Sequence, residues 1–191
     1  MNQVIISQEN KKFENSLIND VFKVRHETFI ERLGWDITSE NGMERDSFDD
    51  LDANHIAIIG EDGLVSGCWR ALPTTNDYML KNVFPELLQG EDAPEADDVW
   101  EISRFAVRKG KNEDSNAHIN DITLELFKTF HAFAKKKGIK KYVTVTTMAC
   151  ERILKRGGMS VRRMGEGKVM QVGVERTVAL WIDLEESAPA N

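Results

Sequence analysis

Cysteine and proline are both scarce in this 191-residue chain, at two and four copies. Cys68 and Cys150 stand apart, with no C-x-x-C or metal spacing. A disulfide-stapled fold, a thiolate metal site and a redox motif are thereby excluded, and a cytoplasmic setting is expected. No Pro-rich or Gly/Ser-rich tract marks an interdomain linker. No apolar run reaches about 18 residues, so no membrane span is expected. The N-terminus has only Val4-Ile5-Ile6 as an apolar run, too short for a signal peptide.

Nucleotide-binding and hydrolase motifs are missing as well. There is no G-x-S-x-G elbow and no G-x-x-x-x-G-K-[ST] loop, and Gly165-x-Gly167 lacks the third glycine of a dinucleotide fingerprint. His26, His55, His118 and His131 show no metal spacing. Asp46-x-x-Asp49 lies in an acidic stretch but lacks the glycine and terminal glutamate of a calcium loop. No metal is therefore expected. The net charge of −7 argues against nucleic acid as the main partner.

What is present is one substantial core. A hydrophobic content of 41% suits a single domain over 1–191, with a core of about 3–184 and a frayed tail at 185–191. Gln3–Ser7 reads as a short strand. Phe13, Leu17, Val21, Val24 and Phe29 mark one side of a helix ending near Arg32. Gly34 to Asn54 is acidic with little periodicity and reads as a long functional loop. Glu61-Asp62-Gly63 turns a hairpin between His55–Ile59 and Leu64–Leu72. Val99–Val107 is a strand, Lys109–Asn116 a surface loop, and Asn120 or Asp121 caps a helix that stops at Gly138. Lys141–Thr147 is a strand, Ala149–Arg156 a helix, and Met159–Leu184 the last strands. A strand, helix, strand crossover predicts a parallel pair in a mixed sheet with helices on both faces, an α/β class.

Charges inside apolar strands carry the functional signal. The strand VWEISRFAV holds Glu101, Ser103 and Arg104; burying such charges unpaired costs several kcal/mol each, on the order of a domain's whole stability. Strand alternation puts Glu101 and Ser103 with Val99 and Phe105, and Arg104 with Trp100 and Ile102. Glu101 is a candidate general base, with a structural ion pair as the competing reading. Arg25, Phe29 and Trp35 suit a carboxylate and a flat or cationic group. Arg70 also needs a partner, and Asp46, Asp49 and Glu101 are the candidates. Three cations and three anions on converging segments suggest a cleft-lining network. Residues 130–170 carry +9 while the rest carries −16, a local basic face suited to an acidic partner.

Together, Arg25-x-x-x-Phe29, Trp35, Asp46-x-x-Asp49, Arg70 and Glu101-x-x-Arg104 resemble the acyl-homoserine-lactone synthases, the autoinducer synthases of bacterial quorum sensing. The text around them, including Gly67-Cys68-Trp69-Arg70, Phe84-Pro85-Glu86-Leu87-Leu88 and Val143-Thr144-Val145-Thr146-Thr147, is similar to the branch that makes long-chain 3-oxo signals. The likeness runs from about Phe22 to Ile182. It implies a three-layer α/β/α sandwich like the GNAT acyltransferases, with a mixed, V-split central sheet. It implies two substrates, S-adenosyl-L-methionine (SAM) and an acyl chain on the phosphopantetheine of an acidic acyl carrier protein, with no tightly bound cofactor.

The resemblance also implies roles. Glu101, through a water, takes the proton of the SAM ammonium; Arg25 and Arg104 hold the SAM carboxylate or brace the loop around it. Asp46 orients the ammonium, with Asp49 and Arg70 bracing the site. Phe29 and Trp35 stack over SAM, beneath a lid made of residues 34–54. Ser103, Phe105, Thr144, Thr146 and Met148 line the acyl chain, Thr146 bonding a 3-oxo group; ordinary strand packing is the bland reading of Thr146. Arg152, Lys155 and Arg156 receive the carrier protein. Two rivals remain. One is a GNAT-type acetyltransferase using acetyl-CoA, although Val107-Arg108-Lys109-Gly110-Lys111-Asn112 lacks its pyrophosphate turn. The other is a non-catalytic SAM-binding regulatory module.

Overall fold

The computed structural model describes residues 2–7, 15–109 and 121–188. In chain order, β1 is Asn2–Ile6 and α1 is Asn15–His26, continued by a π-helical turn over Glu27–Arg32. β2 (Ser39–Glu40) and β3 (Met43–Glu44) form a small hairpin, and a 3-10 turn covers Ser47–Asp50. β4 is Asn54–Ile59 and β5 is Val65–Pro73. α2 is Met79–Asn82, followed by a 3-10 turn at Pro85–Leu88, and β6 is Val99–Val107. α3 is Asp121–Lys137, β7 Lys141–Thr147 and α4 Met148–Arg156. β8 (Ser160–Arg163), β9 (Met170–Val172) and β10 (Glu175–Asp183) complete the chain. The expected places of Phe13 and Asn120, and of the loop beyond Lys109, lie outside the described residues.

Strand order is β1-β4-β5-β6-β7-β10-β8, with β9 also on β10. The crossover through α3 makes β6 and β7 parallel, in register from Val99↔Lys141 to Ile102↔Thr144. β10 runs antiparallel to β7, β8 and β9. The mixed α/β sheet is thus as expected. Contacts divide the chain into two compact units: one up to Arg70 plus Arg104–Thr129, the other Ala71–Ser103 plus the residues from Phe130. β5, β6 and α3 each contribute to both.

In the first unit the sheet is covered on both sides. Val21, Val24 and Phe29 pack with Ile6, Ala57, Cys68 and Ala106 on the α1 side. On the other side Trp69 Nε1 donates to Thr129 Oγ1 of α3 at 2.8 Å. At Gly67 a Cβ would meet Leu126 at 2.8 Å and Ile122 at 3.0 Å, so only glycine lets α3 approach so closely. Phe29 follows Val24 by five residues, out of step with a 3.6-residue period. The π turn, with Leu33 N–H donating to Thr28 C=O at 3.1 Å, absorbs the extra residue and returns Phe29 to the core.

Residues 34–54 are more regular than expected. Asn41 and Gly42 both have positive φ, 53° and 71°, the turn that an Asn-Gly pair favours between antiparallel strands. Asp46 then caps the 3-10 turn, accepting from Phe48 N at 3.0 Å, while Asp49 accepts from Asp46 N at 2.8 Å.

In the second unit Trp100 meets Phe133 of α3 edge-on, and Tyr142 Oη donates to Phe130 C=O at 2.9 Å. α2 takes the opposite side of β6, through Glu101. The described part of the expected frayed tail is tied down: Ala188 N–H donates to Gly158 C=O, and Ser160 N–H to Ser187 Oγ, both at 2.9 Å.

Candidate active site

Six charged side chains from five segments of the first unit close into a ring of alternating sign. Arg25 Nε donates to Glu44 Oε2 at 2.5 Å, and its two Nη atoms grip both oxygens of Asp49 at 2.8 and 2.9 Å. Arg70 Nη1 donates to Asp49 at 2.8 Å and to Asp46 at 2.5 Å. Arg104 Nη2 lies 2.7 Å from Asp46, and its Nε donates to Glu44 Oε1 at 3.1 Å. Each arginine bridges two carboxylates, and each carboxylate bridges two arginines. The six charges cancel, and paired hydrogen bonds offset the desolvation that would expel any one of them.

Burial by itself would raise Asp49, but Arg25, with Arg70 and His55, overcomes it and holds that carboxyl well below the usual carboxylate range. Burial would likewise lower Arg25, yet Asp49 and Glu44 hold it above its ordinary value. Arg104 differs. Burial, with repulsion from Arg25 and Arg70, pulls it below its ordinary value despite attraction from Glu44 and Asp46. Unlike Arg25, Arg104 is thus undercompensated for its burial. It is also where the ring meets solvent: the Arg104 side chain is 10% exposed and that of Asp46 21%, against 1% or less for the other four.

Phe29 and Trp35 stack with ring centres 4.8 Å apart and planes 16° apart, and the Arg104 guanidinium lies 5.7 Å over Phe29. Arg25 is too deeply buried to grip a carboxylate from solvent. Its bonds tie Glu44 to Asp49 within the 34–54 segment.

Arg104 also distorts the strand. Its φ is +54°, a left-handed conformation that side chains other than glycine rarely take. Trp100 packs on Phe133 and Phe105 on Phe127, both from α3, although five residues separate the two. Strict alternation, which had set Phe105 apart from Trp100, is thus corrected: one residue's worth of backbone is absorbed at a bulge.

The partners of Glu101 are the main correction. The sequence offered it as the third acid of the network and as a water-linked base. In the structure it is 1% exposed and accepts from two backbone groups, Met79 N at 2.9 Å and Leu80 N at 2.7 Å. It caps the start of α2. The third acid is Glu44, one of several acids in the 34–54 segment. A signal was there: Glu44 and Asp46 are two apart on extended backbone and so share a side.

The other expected residues fall in the second unit, apart from Phe105. Thr144 and Thr146 follow Tyr142 on one side of β7, Thr144 buried and Thr146 half-buried. Ser103 and Met148 are half-buried too. Thr147 caps α4, accepting from Cys150 N at 3.2 Å. Arg152, Lys155 and Arg156 are exposed on α4, with Lys155 tied to Glu151 at 2.9 Å.

Comparison with known proteins shows the family. The family model described as autoinducer synthase matches residues 9–189. An acyl-homoserine-lactone synthase of Aliivibrio fischeri is 41% identical over 166 residues, covering 87% of this chain and 86% of that protein. The crystal structure of the AHL synthase LasI superposes with a TM-score of 0.82 at 39% identity, covering 96% of this chain and 90% of that one. A second structure, the CoA-dependent acyl-homoserine lactone synthase BjaI with SAM and isopentyl-CoA, gives a TM-score of 0.83 at 25% identity, covering 94% and 82%. The chain belongs to the autoinducer synthase family, the acyltransferases that make acyl-homoserine lactones as quorum-sensing signals.

Proposed function

We propose that this enzyme takes SAM as its acyl acceptor and an acyl carrier protein as its donor, and that the acyl chain is long and 3-oxo substituted. The observation that carries the acceptor is the Arg104–Asp46 pair, 2.7 Å apart at the one place where the ring meets solvent. An α-amino acid headgroup has the matching charges: its carboxylate suits Arg104 and its ammonium suits Asp46. The Phe29–Trp35 stack next to Arg104 suits the sulfonium or the adenine. The relative BjaI, solved with SAM, supports the same choice.

Attack on the thioester requires a neutral amine, so the SAM ammonium first passes one proton to water; the sulfonium of SAM and Arg104 favour that loss, and Asp46 opposes it. The amine nitrogen bonds to the thioester carbonyl carbon as the carbonyl C–S bond breaks, and the donor arm leaves as a thiol carrying the amine's surplus proton. A carboxylate oxygen then attacks the carbon next to sulfur; that C–O bond forms as the C–S bond breaks, and methylthioadenosine departs with the electron pair. The chain's residues position: Arg104 and Asp46 orient, Arg25, Arg70 and Asp49 brace, and Glu101 sets α2. Thr144, Thr146, Met148, Ser103 and Phe105 are assigned to the acyl chain, and Arg152 and Arg156 to the acidic carrier. Because BjaI is CoA-dependent, a CoA thioester is the second reading of the donor.

The test is to supply purified enzyme with SAM and either 3-oxoacyl carrier protein or the matching CoA thioester, and to follow lactone and methylthioadenosine by mass spectrometry. Both products from the carrier protein at the higher kcat/KM support the proposal. Products only from the CoA thioester would reassign the donor. Acyl transfer with no methylthioadenosine would remove SAM.

A further inference from the structure

We propose that Glu44 is a positioning residue for the SAM headgroup: it sets the Arg104 guanidinium that binds the carboxylate, without touching substrate itself. The inference rests on the reading of Arg104 as the carboxylate site.

Three observations carry it. First, Glu44 reaches Arg104 with both oxygens, at 3.1 and 3.3 Å from Nε, while Arg25 fixes its Oε2 at 2.5 Å. Its own position comes from deep in the unit. The β2–β3 hairpin holds it through Ser39 Oγ, which donates to Met43 C=O at 3.1 Å and bonds His26 Nδ1 at 2.7 Å. Second, the Arg104 backbone is strained at φ +54°, and such strain persists only where the surroundings over-determine it. Third, the other carboxylate on Arg104 is Asp46, the solvent-reaching acid assigned to the substrate ammonium. When Asp46 turns to that ammonium, Glu44 is the buried carboxylate still holding Arg104 in place.

The experiment compares Glu44→Gln, Glu44→Asp, Arg104→Lys and the double variant Glu44→Gln/Arg104→Lys in steady-state kinetics with both substrates. Asp20→Asn serves as the control: it loosens the same unit by weakening bonds to Val65 N at 2.6 Å and Arg108 at 2.9 Å. Glu44→Gln is expected to raise the KM for SAM at least about tenfold and that for the acyl donor less than about twofold. Asp20→Asn, at a similar loss of Tm, is expected to leave the KM for SAM alone. The double variant is expected to be no worse for SAM than Arg104→Lys, because Glu44 acts through Arg104. An unchanged KM for SAM in Glu44→Gln, or an equal rise for both substrates, overturns the proposal; so does an additive double variant. If Glu44→Gln does not fold, Glu44→Asp decides: a methylene shorter, it no longer spans both arginines, and a KM rise confined to SAM is expected. An Arg104→Lys variant with unaltered SAM kinetics would instead sink the carboxylate reading and, with it, this proposal.

Discussion

Replacing Glu101 by Gln would turn one carboxylate oxygen into an amide that faces the N–H of Met79 or Leu80, donor against donor. A buried backbone donor left without its acceptor costs about 1–3 kcal/mol. Glu101→Gln is therefore expected to lower the unfolding free energy by about 2 kcal/mol in urea titration, with activity falling alongside. A large activity loss at unchanged stability would restore Glu101 as the base. Thr146→Val keeps the shape of the side chain and removes the hydroxyl. It is expected to lower the preference for 3-oxo over unsubstituted chains, read from the product ratio by mass spectrometry; an unaltered ratio would leave Thr146 a packing residue. At this scale much of the site was legible. Arg25, Arg70 and Arg104 are charges on largely apolar helix and strand segments, and such charges need partners; Asp46 and Asp49 were singled out by their spacing in the acidic stretch. Which partner each takes was not legible. Glu101 and Glu44 are both carboxylates on strands, and only the folded backbone decides that one meets two N–H groups and the other two arginines.

Among the elements, the segment after the Pro85–Leu88 turn is latched to the strands by one carboxylate. Glu91 accepts from both Nη atoms of Arg162 at 3.0 and 2.7 Å, from Trp181 Nε1 at 2.6 Å and from Gly165 N at 2.7 Å. The Arg162 hydrogen bonds, with those from Gly165 and Trp181, lower it from 4.5 to about 2. Its folded value lies below its unfolded one, so its stabilisation is full above pH 4.5 and fades as pH falls to about 2. Glu91→Gln should lose about 1 kcal/mol near neutral pH, and the gap to the parent in Tm should close across that window. A gap that stays constant with pH would show that the charge contributes nothing. The latch also demands Gly165: with φ +53°, any Cβ there would collide with the Leu88 C=O. The element order could be read from periodicity and punctuation. The β2–β3 hairpin was legible too, in Asn41-Gly42, but its strands are two residues long and show no alternation to notice.

For the whole molecule, the proposed carrier-protein donor rests on charge. Arg152 and Arg156 are exposed on α4. Among the described residues no ion pair is seen for either, whereas Lys155, Arg162 and Arg163 of the same basic segment are already paired. Arg152→Glu with Arg156→Glu is expected to raise the KM for acyl carrier protein several-fold and leave that for SAM alone, with the effect shrinking in high salt. An equal rise for both substrates would count against docking on α4.

The sequence by itself determined the class of fold, the family and nearly the full set of charges, because alternation, glycine punctuation and residues with no local partner are properties of short stretches. Only the tertiary structure decided how those charges close. The π turn in the first helix, the bulge at Arg104 and the cap that Glu101 places on α2 each arise when segments far apart in sequence compete for the same donors and the same space. That competition made Glu44, and not Glu101, the sixth member of the ring.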